Sequence, residues 1–275
     1  MNPTLRLVFI ILFFVGMALV VLSRFYIYFE QLYANKHHKP FFLNRALFWY
    51  GLTDKQERVL KQKFTFYNRL SPKEQRVFRH RVAKFLRDKE FITRDNLELT
   101  DEIRVLISAT AMMLTFGFKD YLIDILSVVV VYPKPFYSKT NETYHKGEMN
   151  PKLGTIVFSW EDFEEGYDIS NDNLNLGVHE FGHAIHLNSF SNDDISAMIF
   201  NNGFLALKTY LKDNEPIRQK LIKSKYFRAY AYTNQFEFVA VLMENFIETP
   251  QEFRTQFPEV YGYMKRMLNF NFAGY

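Results

Sequence analysis

Apolar and polar positions along this chain follow three patterns in turn. From Leu7 to Ser23 the apolar run is unbroken by charge and is dominated by Leu, Ile, Val and Phe. Its length, about 26 Å at 1.5 Å per residue, falls slightly short of a roughly 30 Å hydrocarbon core. Arg6 and Arg24 can snorkel at its ends, and Phe25-Tyr26-Ile27-Tyr28-Phe29 carries the apolar surface into the interface. The run reads as an uncleaved transmembrane helix, with residues 1–29 as membrane anchor. A cleaved signal peptide is the alternative, with Val21-Leu22-Ser23 as a poor processing site. Residues 30–50 read as a juxtamembrane connector.

From residue 51 the period becomes helical. Thr53-Asp54-Lys55-Gln56 and Ser71-Pro72-Lys73-Glu74 both have the form of capping boxes, the second with Pro at the first helical position. Val77, Phe78, Val82, Phe85 and Leu86 then fall on one helical face. Thr100 caps a further helix that ends near Gly117. Val128 to Tyr132 predicts a buried strand, and Gly154 to Trp160 a second one. Between them, Pro133 to Asn150 reads as a polar loop placed to overhang a cleft. Its Asn141-Glu142-Thr143 matches a glycosylation sequon by pattern only. Another apolar helical stretch contains Leu174, Leu176, Val178, Ala184, Ile185 and Leu187, with Asn171, Asp172 and Asn173 as candidate N-caps. Helices are predicted from about Asp194 to Leu211, from Asn234 to Glu248, and once more after Pro250. The pattern predicts an α+β fold. A mostly helical domain over residues 51–275 carries a small sheet before the central apolar helix, behind an N-terminal transmembrane helix.

That central helix contains His179-Glu180-Phe181-Gly182-His183, an H-E-x-x-H pattern. Residues four apart lie about 40° apart in projection at roughly 3.6 residues per turn, so His179 and His183 can direct two imidazoles at one metal ion. Glu180 then stands at the flank, where a carboxylate reaches a metal-bound water. This is the arrangement of a zinc metallopeptidase: two ligands, a general base and an open coordination position. A third protein ligand is needed. Ser189 occupies the place of the histidine in H-E-x-x-H-x-x-G-x-x-H, so the ligand is sought among later carboxylates. Asp193, Asp194, Asp213 and Glu215 lie in polar turns, and Glu248 ends a helix. Glu237 sits alone in the apolar run Phe236-Glu237-Phe238-Val239-Ala240-Val241-Leu242, where a carboxylate needs a partner. Glu244 is the runner-up.

Tyr230-Ala231-Tyr232-Thr233-Asn234-Gln235-Phe236-Glu237-Phe238-Val239-Ala240 resembles the Y-x-x-T-N-x-x-E-F-F-A stretch of the Mlc titration factor A family of bacterial zinc peptidases, a family related to the catalytic domain of anthrax lethal factor. Thr100-Asp101-Glu102-Ile103-Arg104-Val105-Leu106-Ile107, Val130-Val131-Tyr132-Pro133 and Gly154-Thr155-Ile156-Val157-Phe158-Ser159-Trp160 are similar to its helix and strands before the motif. The resemblance covers about residues 50 to 270. It implies Zn2+ held by His179, His183 and Glu237, with Glu180 as general base. It also implies Tyr230 as the hydroxyl that stabilises the oxyanion or protonates the leaving amine, with Tyr232 as local competitor. Glu180 would accept the proton of the attacking water and deliver it to the leaving amine. The strand Gly154 to Trp160 would form the edge that pairs with extended substrate. The chain departs from the family at Val239, where a second Phe is usual. It departs again at His186, where the family has an aspartate placed to orient a ligand imidazole. His186 is read as such an acceptor or as packing, ahead of a fourth ligand.

Composition adds limits. The 275 residues are 48% apolar, enough for one good-sized core plus an appendage. No cysteine is present, which excludes disulfides and thiolate chemistry. The net charge is +4, but no basic cluster with interleaved aromatics forms a nucleic-acid groove, so no nucleic-acid partner is expected. Arg24, Lys36, Lys39 and Arg45 follow the apolar run, against Arg6 and the amino terminus before it. This bias puts a single-pass protein's catalytic domain on the cytoplasmic side. The expected function is hydrolysis of peptide or protein substrates by a membrane-anchored zinc metallopeptidase. The alternative is a regulatory protein of the same fold that docks a partner such as a transcriptional regulator.

Overall fold

Side-chain caps set most of the helix starts in the computed structural model, which describes every residue except 1, 45, 47, 139–141 and 170, and only the backbone of 168. Arg45 and Asn141 therefore lie outside the described residues. Helix α1 (Pro3–His37) opens on Asn2. Both expected capping boxes form, at Thr53 before α2 (Asp54–Lys63) and at Ser71 before α4 (Pro72–Asp88). The short α3 (Thr65–Arg69) lies between them. Thr100 caps α5 (Asp101–Leu114), which begins and ends close to expectation. Arg81, wholly buried on α4, donates to the carbonyls of Thr115, Phe116 and Phe118 at 3.0, 3.1 and 2.9 Å. It thereby ties α4 to the backbone of the turn that follows α5.

Strands β1 (Glu90–Thr93), β2 (Val128–Tyr132) and β6 (Thr155–Ser159) pair in parallel, and β5 (Gly147–Asn150) joins β6 antiparallel, giving the order β1-β2-β6-β5. Val129, Val131, Ile156 and Phe158 are fully buried. The apolar run of β2 fits a strand covered on both faces. A separate hairpin pairs β3 (Phe136–Ser138) with β4 (Thr143–His145). Gly154, at φ 60°, turns the chain from β5 into β6, and its carbonyl accepts from the amides of Ser127 and Val128.

This sheet corrects two expectations. Pro133 to Asn150 is not a polar loop, because three short strands lie within it. Gly154 to Trp160 does contain a strand, but β6 is interior, between β2 and β5, so the free edge beside the motif helix belongs to β5. The sequence 147–150 was hard to read as a strand because it is short and lacks the apolar alternation of a half-buried one.

After α6 (Trp160–Asp168) comes the motif helix α7 (Leu176–Ser191), capped by Asn175. Asn171, Asp172 and Asn173 are not its caps, and Leu174 lies outside the helix and is exposed. Helix α8 (Ile195–Asp213) is capped by Asp194. Then follow α9 (Glu215–Ser224), a 3₁₀ turn (Ala229–Tyr232), α10 (Gln235–Glu248) capped by Asn234, α11 (Pro250–Gln256) and α12 (Pro258–Met267). The single helix expected after Pro250 is two, because Pro258 restarts it. One apolar core, dense in phenylalanine, joins α2–α12 and the sheet.

Helix α1 passes unbroken through residue 29. Its last turns bind the domain: Ala34 packs with Ile195 and Ile199 of α8, Asn202 donates to Asn35, and buried Glu30 pairs with Lys119 at 2.7 Å. It is long and apolar enough to cross a membrane, with the apolar window wholly unburied by the rest of the chain.

Candidate metal centre

Helix α7 brings both motif histidines to one place, with His179 Nε2 and His183 Nε2 3.1 Å apart. Helix α10 brings the third group. It lies close against α7 at Gly182, where an added Cβ would stand 3.3 Å from Ala240 Cα and Met243 Sδ. This approach sets Glu237, one turn before Ala240, beside the histidines. Its Oε2 is 3.1 Å from His179 Nε2 and its Oε1 is 3.4 Å from His183 Nε2. Among the described residues, His179, His183 and Glu237 are the one group of three potential ligands found within 4.8 Å of one another.

The donor set fits zinc. Bonds of about 2.0–2.1 Å in a tetrahedron separate the donors by roughly 3.3–3.4 Å, close to the three distances above. Two neutral nitrogens and one carboxylate leave a position free for water. The electrostatics agree. Burial opposes charge at Glu237, yet the two imidazoles beside it hold its carboxyl well below the usual range. Burial likewise opposes charge at His179, but Glu237 and Glu244 outweigh it and raise the ring to about 9. The same cluster of negative charge that holds a proton so firmly attracts a cation.

Glu244 stands behind His179, not among the converging atoms. Its Oε1 lies 2.5 Å from His179 Nδ1, so the ring donates there and turns Nε2 toward the centre. Arg228, just before the 3₁₀ turn, grips both oxygens of Glu244 at 2.6 Å and donates to the Asn173 carbonyl at 2.8 Å. The other carboxylates are elsewhere. Asp194 caps α8, Asp213 ends α8, Glu215 begins α9, Asp193 is exposed in a turn, and Glu248 holds Asn173 and Asn175.

Glu180 is buried beside the cluster, and that burial raises its carboxyl. Strand β5 crosses next to it: a Cβ on Gly147 would sit 2.6 Å from Glu180 Cγ and Oε1. Tyr230 is half-exposed on the 3₁₀ turn, with its ring 6.2 Å from that of His179. Burial and then the Glu237 charge raise its hydroxyl pKa. Tyr232 points its hydroxyl away, donating to the Leu221 carbonyl at 2.7 Å.

His186 neither orients a ligand nor joins the cluster. It is fully buried against Phe190, Phe200, Phe204 and Phe236, and neither ring nitrogen has a hydrogen-bond partner among the described residues. Burial lowers its pKa to about 4, which keeps the ring neutral. Arg228 and Gly147 escaped the reading of the sequence. Both act through contacts between elements far apart in the chain, and neither has a local spacing that marks it.

The family model described as glucose-regulated metallo-peptidase M90 matches residues 43–269. An uncharacterized protein of Synechocystis, slr2042, is 24% identical over 244 residues, covering 81% of this chain and 86% of the relative. Mlc titration factor A of Klebsiella pneumoniae is 26% identical over 211 residues, 70% of this chain and 77% of its own. Mlc titration factor A of Yersinia pestis is 26% identical over 202 residues, 67% and 73% of the two chains.

Proposed function

The chain belongs to the glucose-regulated metallo-peptidase M90 family, and from that membership and the geometry around His179 we propose that it is a zinc-dependent peptide hydrolase held in a membrane by α1. The convergence of His179, His183 and Glu237 carries the reading. These three residues would hold Zn2+, which when bound supplies Lewis acidity and an acidified water.

The chain's own groups do the rest. Glu180 takes a proton from the attacking water and passes it to the leaving amine. Its buried carboxylate stands beside the three converging groups, within reach of a water held there. Tyr230 donates its hydroxyl to the oxyanion that develops on the scissile carbonyl. Glu244 holds His179 in one tautomer, and Arg228 holds Glu244. The outer edge of β5 offers backbone groups to an extended peptide, beside Glu180. The division into anchor (1–29), connector (30–50) and catalytic domain (51–275) follows the change in apolar pattern, with the connector's first residues folded as the end of α1. The bias of Arg and Lys after the apolar run supports a cytoplasmic catalytic domain.

A second reading has one observation in its favour. Several relatives carry the name Mlc titration factor A, so this chain is also read as a protein that binds a regulator such as Mlc. The variant Glu180→Gln separates the two. If hydrolysis is the function, it keeps zinc and loses cleavage of unfolded protein by about 10²–10⁴-fold. Unchanged cleavage would remove Glu180 from the mechanism. Absence of cleavage in the parent, with regulator binding intact in both proteins, would favour the binding role.

A further inference from the structure

Building on the reading that α1 crosses a membrane, we propose that the catalytic domain also lies on the bilayer surface, through the aromatic and basic residues of 36–44 and 48–50, in contact with anionic headgroups.

Spacing along α1 is the first observation. The apolar run ends at Ser23, and the domain begins to grip the helix at Glu30. Those residues rise only about 10 Å at 1.5 Å each. A headgroup layer occupies roughly 5–8 Å per leaflet. The grip is firm, through the Glu30–Lys119 pair, the Ala34 contact with α8 and the Asn35–Asn202 hydrogen bond. A domain clasped this near the end of the apolar run adjoins the headgroups.

The path of the chain after α1 is the second. His38, at φ 54°, ends the helix. The chain then doubles back, so that Phe41 stacks on Tyr33 with ring centroids 4.4 Å apart and reaches Tyr26 at 6.4 Å. Tyr26 is three residues past Ser23, so Phe41 has come back along α1 to lie between Tyr33 and Tyr26, toward the membrane end of the helix. Beyond it, Phe42, Phe48 and Trp49 are 58%, 77% and 46% exposed. Aromatic surface of this size facing water is unfavourable, by about 25 cal/mol per Å² of apolar area. At an interface it is favoured.

Charge is the third. No Asp or Glu occurs from Gln31 to Thr53, whereas Lys36 and Lys39 do. Arg76 stands 4.6 Å over the Trp49 ring, and Arg87 4.5 Å over the Tyr50 ring. Bulky aromatics among cations, with no acid between, match an anionic headgroup layer. The contact would fix the orientation of the domain, and with it the β5 edge, relative to the membrane.

The chain has two tryptophans, so a full-length Trp160→Phe variant reports Trp49 alone. Trp160 stacks on Phe163 with centroids 5.5 Å apart, a contact that phenylalanine keeps. The variant is reconstituted in phosphatidylcholine–phosphatidylglycerol vesicles whose acyl chains carry bromine near the headgroup. The proposal predicts about a twofold loss of Trp49 emission, as for an interfacial ring, and a smaller loss in phosphatidylcholine alone. The wild-type chain should show the same loss diluted by Trp160. Unquenched emission from a chain that resists carbonate extraction overturns the surface contact alone. Release of the chain by carbonate overturns the anchor reading on which it rests. An equal loss in phosphatidylcholine alone overturns the preference for anionic lipid.

Discussion

Two buried histidines on one helix have opposite fates because of what faces them. His179 meets Glu237 and Glu244, whereas His186, two turns on, meets four phenylalanines. The resemblance directed attention to both, and only packing against α8 and α10 distinguishes them. His186→Leu should therefore leave zinc content unchanged. It should also raise stability by about 1–2 kcal/mol in denaturant unfolding, since two ring nitrogens without partners are removed from the core. Loss of zinc in that variant would restore His186 to the site. Arg228→Gln tests the opposite case. With one side of Glu244 released, zinc affinity should fall about 10–100-fold in a chelator competition, while Arg228→Lys should recover part of it. An affinity unmoved by either change would make Arg228 a surface contact only.

Elements position these residues, and they were unequally legible. Capping boxes at Thr53 and Ser71 and the helical face of Val77, Phe78, Val82, Phe85 and Leu86 could be read because their signal is local. The place of Glu237 beside the two histidines was legible too, as an isolated carboxylate in an apolar helix. Strand β5 was not, since its place in the sheet depends on pairing with β6 and not on its own four residues. Nor was the Asn175 cap, which is held from outside by Glu248. The burial of Glu248, which outweighs those hydrogen bonds, gives a pH dependence. Burial raises the Glu248 carboxyl from 4.5 to about 7, so the folded state binds its proton more tightly than the unfolded state does. The stabilisation is full below the unfolded value and is lost as pH rises through the folded one. The melting temperature of wild type relative to Glu248→Gln should thus decline between about pH 5 and pH 8, and a constant difference would contradict the assignment. At the β5 crossing, Gly147→Ala places a methyl within 2.6 Å of Glu180 Oε1. Cleavage should drop more than about tenfold, the effect of displacing a group at the reacting centre, with zinc retained. Full activity would show that β5 yields without moving Glu180.

At the scale of the whole molecule, a long helix is clasped at one end by the domain it carries. The sequence marks α1 by composition, but the clasp at Glu30, Ala34 and Asn35 joins residues distant in the chain, so the pattern ending at residue 29 gave no sign of it. The proposed orientation has a simple check. Protease added to intact cells should spare the domain and degrade it only after lysis; degradation in intact cells would place the domain outside.

The account stands or falls on three ligands at one point, and zinc analysis of the purified chain tests that most directly. It predicts one zinc per chain, lost in Glu237→Ala, and in Glu244→Ala bound more weakly but still present at excess metal. A parent without zinc, or a site abolished by Glu244→Ala and untouched by Glu237→Ala, would contradict it.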